Sequence, residues 1–152
     1  MMSKVLPKVY VAGRYDRRVE LSNYAAEITN LGYEVRARWL NGAHSLEDNP
    51  DVTKDNEHQF RAMFAEEDLQ DLYVADILVT FTEEPQSGYF SGGRHVEFGY
   101  SLADEKEIIQ VGPRENVFHF LPHIHHFENW ADAKVFLRYA IKTRNFLTGV
   151  RG

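Results

Sequence analysis

The sequence predicts an open, doubly wound α/β domain whose mostly parallel five-stranded sheet is covered by helices on both faces. Segments typical of strands and of helices alternate along the 152 residues, which is the order that produces parallel strands joined by helical crossovers. The first, third and fourth expected strands are continuous apolar runs, as is typical of strands buried on both faces. The length fits one domain spanning residues 1–152.

Each element is predicted from the spacing of its apolar residues and from the residues that end it. Helices are expected where apolar side chains recur three and four residues apart, and strands where short apolar or alternating runs end at turn-forming residues. Gly13 ends the first strand, Gly32 ends the first helix, and Asn129 is a candidate N-cap for the last helix. In chain order, the expected strands are 8–12, 33–39, 77–82, 107–111 and 123–127, and the expected helices are 18–31, 57–73, 94–103 and 129–146.

Functional residues are expected in the loops beyond the carboxyl ends of the strands, because ligands of open α/β sheets bind in the crevice at that edge. These loops comprise residues 13–18, 40–56, 83–93 and 112–120. The second of them is long and polar, and loops of that length often form lids or binding elements.

The amino-acid composition excludes several classes of binding partner and of chemistry. The formal net charge of −6 argues against binding of a nucleic acid polymer. The absence of cysteine excludes thiol catalysis and thiolate metal sites, and it fits a reducing compartment. No apolar stretch approaches the ~20 residues of a membrane helix, and the first ten residues lack the apolar segment of a signal peptide. We therefore expect a cytoplasmic protein with no membrane partner.

Glu97 is the first candidate for chemistry. It follows the glycine pair Gly92-Gly93 and lies between the apolar residues Val96 and Phe98. The backbone amides at the start of a helix favour negative charge. We interpret Glu97 as an ionised nucleophile held where the glycine-rich loop becomes a helix, and a glutamate on the helix surface is the alternative.

Asp68 is the second candidate. It lies four residues from both Phe64 and Leu72, on the apolar stripe of the second helix, whereas Glu67 and Asp71 are expected to face water. Burial would raise the pKa of Asp68 and favour its protonated form. One charged and one protonated carboxyl are what a retaining displacement at a sugar carbon requires. An acid at the edge of the apolar stripe is the alternative.

The loop after the first strand is a candidate anion site. Gly13-Arg14-Tyr15 and Arg17-Arg18 offer backbone amides and guanidinium groups that could hold a phosphate. The glycine spacing is neither that of a dinucleotide fingerprint nor that of a nucleotide-triphosphate loop, and a solvated face is the alternative. A second candidate oxygen-binding loop contains Ser87, Ser91, Gly92 and Gly93.

Histidines and tryptophans give weaker signals. His123 and His125 would share one face of the last strand, close to His119 and His126, which is metal-ligand spacing. No nearby acid completes a third ligand, so histidines at the sheet edge are favoured and we expect neither a metal nor another cofactor. Trp39 and Trp130 are candidates for stacking on a base, with core packing as the alternative.

With these residues in hand, the chain resembles the nucleoside 2-deoxyribosyltransferase family. That family combines a Rossmann-like (flavodoxin-like) sheet with an aspartate upstream of an Ala-Asp strand start and a Glu-Leu-Gly-Tyr-Ala nucleophile segment. The counterparts here are Asp68 followed by Ala-Asp-Ile-Leu-Val at 75–79, and Glu-Phe-Gly-Tyr-Ser-Leu-Ala at 97–103. The Ala-Gly turn at 12–13 also matches, and the similarity extends over about residues 10–111.

The resemblance implies a retaining reaction through a covalent intermediate. Glu97 would attack the anomeric carbon of a (deoxy)ribonucleoside or nucleotide, displace the base and form a glycosyl-enzyme ester. Asp68 would protonate or steer the leaving base, and Tyr10 would orient Glu97. A second base or water would then release the sugar, with no metal required. A nucleotide-binding sensor that uses the same cleft without turnover is the alternative.

The resemblance also bears on substrate and assembly. Typical transferases carry an aspartate six residues before the nucleophile, where this chain has Ser91. In that respect it is similar to the 2′-deoxynucleoside 5′-phosphate N-hydrolases, and with the arginine-rich first loop this favours a monophosphate substrate. Family members are homo-oligomers, so the resemblance implies that the loop 112–120 lies near a neighbour's site and offers Asn116 to its sugar or carboxylate.

Overall fold

In the computed structural model, strands and helices alternate as the sequence predicts. The structure describes residues 5–42, 44–47, 49–85 and 92–147, and it describes the side chains within those ranges as far as residue 144. The strands are β1 (Lys8–Ala12), β2 (Glu34–Val35), β3 (Ile77–Phe81), β4 (Glu107–Val111) and β5 (His125–Phe127); the helices are α1 (Arg18–Leu31), α2 (Glu57–Val74), α3 (Gly93–Ala103) and α4 (Trp130–Leu147); short 3-10 turns lie at Tyr15–Arg17, Arg38–Asn41 and Val117–Phe120.

The five strands form one sheet in the order β2-β1-β3-β4-β5. Every neighbouring pair is parallel, which confirms the doubly wound α/β prediction. The chain first moves from β1 to β2 and then returns to the other side of β1 to form β3. Because connections diverge at this point, the crevice beyond the carboxyl ends of β1 and β3 is the expected place for a ligand.

Strand register assigns the two faces of the sheet. Tyr10 of β1 is level with Leu78 of β3, and side chains that are level in parallel strands point to the same face. The opposite face packs against α1 and α4, where Tyr24 stacks on Phe81 at 5.4 Å and on Trp130 at 4.9 Å between ring centroids. Trp130 is therefore part of the packing between helices and sheet. The Tyr10 face packs against α2 and α3.

The second strand is shorter than the expected 33–39, because side chains interrupt it. The backbone amide of Arg38 donates to the Asp71 carboxylate at 2.8 Å instead of to a strand. The Trp39 indole turns inward and donates to the carbonyl oxygen of Val11 at 2.8 Å. Asp71 is only 6% exposed, so the expectation that it faces water was wrong. Its carboxylate binds the Arg38 amide within the segment that was expected to continue the strand.

The fifth strand is also shorter than expected, and His123 lies before it on the surface. His123 and His125 therefore do not share a strand face. Within the described ranges, no three His, Asp or Glu side chains lie close enough together to hold a metal ion. The predicted cap of α4 is present, since Asn129 Oδ1 accepts from the Asp132 amide at 2.9 Å. No helix in the described part of the chain is long and apolar enough to cross a membrane.

Candidate active site

Three predicted side chains from three different elements meet on one face of the sheet. Tyr10 comes from β1, Asp68 from α2 and Glu97 from α3. Burial raises the pKa of Tyr10 well above its usual value, and the charges of Glu97 and Asp68 raise it further. One oxygen of each residue is buried without a hydrogen-bond partner among the described residues: the Tyr10 hydroxyl, Asp68 Oδ1 and Glu97 Oε2.

Glu97 lies in the second turn of α3, with its carboxylate directed back toward the start of the helix. A Cβ placed on Gly93 would lie 3.9 Å from Glu97 Oε1. Gly92 adopts a left-handed backbone conformation (φ 72°) as the N-cap, which explains the use of glycine where the loop becomes the helix. Burial raises the pKa of Glu97 to about 8, the Tyr10 hydroxyl opposes this rise as a hydrogen-bond donor, and the charge of Asp68 adds to it.

The contact between Tyr10 and Glu97 is close enough to influence both pKa values, yet it does not satisfy the full geometry of a hydrogen bond. The Tyr10 hydroxyl and the Glu97 carboxylate therefore lie near each other without forming a hydrogen bond of full geometry. These buried polar atoms therefore have hydrogen-bonding capacity that the described residues leave unused.

Asp68 is partly accessible, with 30% of its side chain exposed. Burial raises its pKa to about 6, and the positive charge available on His44 opposes that rise. The His44 Nδ1 atom lies 3.3 Å from Asp68 Oδ1, at ion-pair distance but outside hydrogen-bond geometry. The negative charge of Asp71 on the same helix raises the pKa of Asp68 further.

The order of the two pKa values is opposite to the prediction. Glu97, expected to be ionised, has a pKa of about 8, whereas Asp68, expected to be protonated, has a pKa of about 6. Glu97 is more deeply surrounded by protein, and its nearest charge is another carboxylate. Asp68 has an imidazole beside it. At pH 7 the ligand-free site therefore keeps one proton, mainly on Glu97.

His44 belongs to the site but was not found in the sequence. Its side chain is 6% exposed, its Nε2 atom pairs with Glu67 Oε2 at 2.8 Å, and its ring stacks on Phe64 with 4.5 Å between centroids. Glu67 is consequently half-buried and does not simply face water. A single histidine in a polar loop has no periodic pattern, so only the folded loop shows that His44 bridges Glu67 and Asp68.

The arginines of the first loop are engaged by carboxylates. Arg17 donates to Glu83 at 2.6 Å and to Glu20 at 2.8 Å, and these bonds raise its pKa. Arg14 bonds Asp16 at 2.6 Å, and its Nη1 lies 3.7 Å from Glu83. The predicted phosphate-binding groups therefore already have anionic partners, which the sequence pattern did not indicate.

The remaining residues of this loop serve packing and shape. A side chain at Gly13 would collide with Leu21 of α1, so glycine lets β1 turn closely over that helix. The Arg18 guanidinium lies over the Tyr15 ring at 5.6 Å, away from Glu83. Trp39 is 6% exposed and packs in the core, whereas Tyr15, 40% exposed, presents its ring to the cleft. Tyr15, rather than Trp39, is the aromatic ring available to a flat ligand.

A cavity of about 690 Å³ lies between the loop after β1, the long loop and the first turns of α2. Arg14, Tyr15 and His44 line one side of it, and Lys54 and Arg61 line the other. His44 faces the cavity and also contacts Asp68, so it connects the cavity with the paired acids. The volume is in the range of small-molecule sites.

Asn116 does not join Glu97 within one chain. Its Oδ1 accepts from the Phe118 amide at 3.0 Å, and it lines a separate cavity of about 370 Å³ with Phe98 on another side of α3. A buried ion pair between Arg94 and Glu115 joins the loop 112–120 to α3. Ser87 and Ser91 lie outside the described residues.

This chain is similar in fold to a protein of known structure. No model of a protein family and no curated protein matches the sequence. A solved structure of the 2-deoxyribosyltransferase from the psychrotolerant bacterium Bacillus psychrosaccharolyticus is similar, with a TM-score of 0.60 and 19% sequence identity. The similarity covers 86% of this chain and 95% of that chain. The resemblance drawn from the sequence motifs is thus supported at the level of the fold.

Proposed function

We propose that this protein cleaves the N-glycosidic bond of a nucleoside or nucleotide with retention, and passes the (2-deoxy)ribosyl group to another base or to water. The observation that carries this proposal is the meeting of Tyr10, Asp68 and Glu97 at the point where the strand order diverges. Each has a buried oxygen without a partner in the part of the chain that the structure describes. Leaving buried polar atoms unpaired is costly, so their convergence favours a ligand that completes their bonding.

Glu97 acts as the nucleophile in this proposal. Its oxygen attacks the anomeric carbon while the carbon–nitrogen bond to the base breaks, and the proton on Asp68 moves to the base nitrogen. A glycosyl ester on Glu97 results. In the second step a base or water attacks the same carbon, the ester oxygen leaves, and the incoming group returns its proton to Asp68. Two displacements at one carbon give overall retention.

The pKa values define which protonation state reacts. Between pH values of about 6 and about 8, the two acids hold one proton between them. Attack requires that proton on Asp68, so the reactive arrangement is the less populated form of the singly protonated pair. His44 beside Asp68 offers a path for the proton to the base, since its ring also lines the cavity.

The cavity beside Tyr15 and His44 is the place we assign to the base. This cavity is large enough for a flat heterocycle, and the exposed ring of Tyr15 can stack on it. Its lining includes His44, the residue beside Asp68. The name of the solved neighbour, a 2-deoxyribosyltransferase, supports deoxyribosyl transfer. We further propose that Asn116 contributes from a second copy of the chain, since within one chain it lines a cavity whose described lining includes neither acid.

Base release from a panel of nucleosides and 5′-monophosphates, followed by chromatography, tests the proposal. The wild-type protein should release free base, and Glu97→Gln should reduce the rate by about 10³-fold or more, as expected for loss of a covalent nucleophile. Glu66→Gln, an exposed glutamate on α2, is the matched control and should retain full activity. Binding without base release for every compound would instead indicate a sensor.

A further inference from the structure

Three residues of α2 present one face of that helix to the long loop. Phe64, Glu67 and Asp68 lie at positions i, i+3 and i+4, so their side chains are neighbours on the helix surface. His44 of the loop packs on this face, and its ring is stacked on Phe64 with 4.5 Å between centroids. The His44 side chain is only 6% exposed. The stack fixes the plane of the imidazole, so its two ring nitrogens have defined directions.

Each ring nitrogen of His44 meets a different carboxyl group. Nε2 lies 2.8 Å from Glu67 Oε2 in hydrogen-bond geometry, and Nδ1 lies 3.3 Å from Asp68 Oδ1. Because a carboxylate accepts hydrogen bonds and does not donate them, the bond to Glu67 assigns a hydrogen to Nε2. The bond made by one ring nitrogen determines what the other nitrogen can do. Nδ1 is therefore the nitrogen that can exchange a proton with Asp68.

Attachment of the long loop to α2 does not account for the second of these contacts. The Nε2 bond and the ring stack would hold the loop without it. Asp68 Oδ1 nonetheless lies beside Nδ1, and it is buried without a hydrogen-bond partner among the described residues. The same imidazole lines the cavity assigned to the base. His44 thus connects that cavity, the proton donor of the proposed reaction, and Glu67, an acid to which that reaction gives no role.

We infer that Glu67 is a positioning residue for protonation of the leaving base: it holds His44 by Nε2, so that Nδ1 and the Asp68 carboxyl share the proton that the base takes. The inference rests on the proposed function. As the carbon–nitrogen bond breaks, its electron pair goes to the base, which takes the shared proton while Glu97 bonds the anomeric carbon. A neutral imidazole and an ionised Asp68 remain, and Nε2–H still donates to Glu67. The incoming base or water later returns one proton to this pair.

Leaving groups that need no proton separate this role from a structural one. The nucleoside with the fastest base release is compared with an analogue whose base leaves without a proton, namely the N7-methylated derivative of a purine nucleoside or the 5-nitrouracil derivative of a pyrimidine nucleoside. Glu67→Gln should lower kcat for the parent nucleoside by about tenfold or more and for the analogue by less than about threefold. His44→Asn should show the same selectivity. A loosened loop would instead raise KM or lower kcat for both compounds alike.

A matched variant and a measurement without turnover complete the test. Glu66→Gln removes the neighbouring, exposed glutamate of α2 and should leave both rates unchanged, and thermal unfolding shows whether each variant is folded. Nitrogen NMR of the histidine rings reports the tautomer, with the signals of His44 assigned by their absence in His44→Asn. The wild-type protein should carry a hydrogen on Nε2. Glu67→Gln should increase the tautomer with a bare Nε2, because an amide can donate as well as accept.

Equal losses with both leaving groups in folded Glu67→Gln, or no loss with either, would overturn the inference and leave the N-glycosidase proposal intact. A bare Nε2 on His44 in the wild-type protein would also overturn it, whether or not base is released. If the wild-type protein releases no base from any compound while Nε2 carries its hydrogen, the proposed function fails and this inference fails with it.

Discussion

Two aspartates three residues apart on α2 are treated in opposite ways by the fold. Asp71 is buried, and its carboxylate accepts from the Arg38 amide at 2.8 Å and from the Arg38 guanidinium at 3.1 Å. Asp68 is less buried, yet among the described residues its Oδ1 has no hydrogen-bond partner, and an imidazole lies 3.3 Å from it. The difference shows that an acid on this helix with a structural role has its hydrogen bonds satisfied by a neighbouring residue, here Arg38.

The same contrast recurs on α3. Arg94, in the first turn, is 7% exposed and forms a two-bond ion pair with Glu115. Glu97, three residues later, has a buried oxygen that no described residue bonds, and burial raises its pKa to about 8. In each of these two comparisons, one charged residue is fully hydrogen-bonded within the protein and the other has an oxygen without a partner among the described residues. The two unsatisfied acids are the ones that face each other, which is why we assign the chemistry to them.

Exchange of each α2 aspartate for asparagine should separate the two roles. Asp68→Asn should lower kcat/KM for base release by about 10²–10³-fold, because the leaving base loses its proton donor, with little change in thermal stability. Asp71→Asn should lower the unfolding temperature by several degrees, because Arg38 loses its anionic partner, while activity falls much less. Base-release kinetics and thermal unfolding measure both effects. Equal losses of activity in the two variants would contradict the distinction between them.

Glu97→Gln should stabilise the protein at alkaline pH even as it removes activity. With a folded pKa of about 8 and an ordinary value of 4.5, Glu97 stays protonated in the folded chain while it ionises in the unfolded chain. The folded state therefore binds more protons across this window, and the free energy of unfolding falls as pH rises, by up to about 1.4 kcal/mol per unit from this group.

The glutamine variant lacks this dependence, so its advantage over wild type should grow from pH 4.5 to 8 and level off above. Denaturant unfolding at intervals across that range measures it, with Glu66→Gln as the control. Parallel stability curves for Glu97→Gln and wild type would show that Glu97 has an ordinary pKa in the folded protein.

Among these variants, Tyr10→Phe should change kcat/KM least. It should show whether the alkaline limit of the pH profile belongs to Glu97. The wild-type profile of kcat/KM should have limits near pH 6 and pH 8, which belong to the pair of acids as a whole. The Tyr10 hydroxyl lowers the pKa of Glu97, so its removal should move the alkaline limit to higher pH. A pH–rate series on both proteins measures this shift, and an unchanged alkaline limit would mean that Tyr10 does not act on Glu97.

Local patterns in the sequence were sufficient for the fold and for the candidate acids. Apolar runs at Lys8–Ala12, Ile77–Phe81 and Glu107–Val111 became central strands, and the glycine pair before Glu97 became the start of α3. An acid on an apolar stripe is visible from spacing alone, which is how Asp68 was selected. These features depend on residues close together in the chain.

Features that depend on distant residues were not predictable. The Arg38 amide bonds Asp71, thirty-three residues further along the chain, instead of a neighbouring strand. The pairing of Arg17 with Glu83 spans sixty-six residues and gives an apparent phosphate-binding arginine an anionic partner within the protein. The pKa of Asp68 is lowered by His44, a histidine with no pattern around it. Each of these is set by tertiary packing.

The most direct test of a covalent role for the unpartnered acid on α3 is intact-protein mass spectrometry. A 2′-fluoro-substituted nucleoside slows release of the sugar by destabilising the oxocarbenium-like transition state. Acid-quenched wild-type protein should gain the mass of one fluorinated sugar, mapped by peptide fragmentation to Glu97, and Glu97→Gln should gain none. Base release that proceeds without any adduct, or with an adduct on another residue, would contradict the assignment.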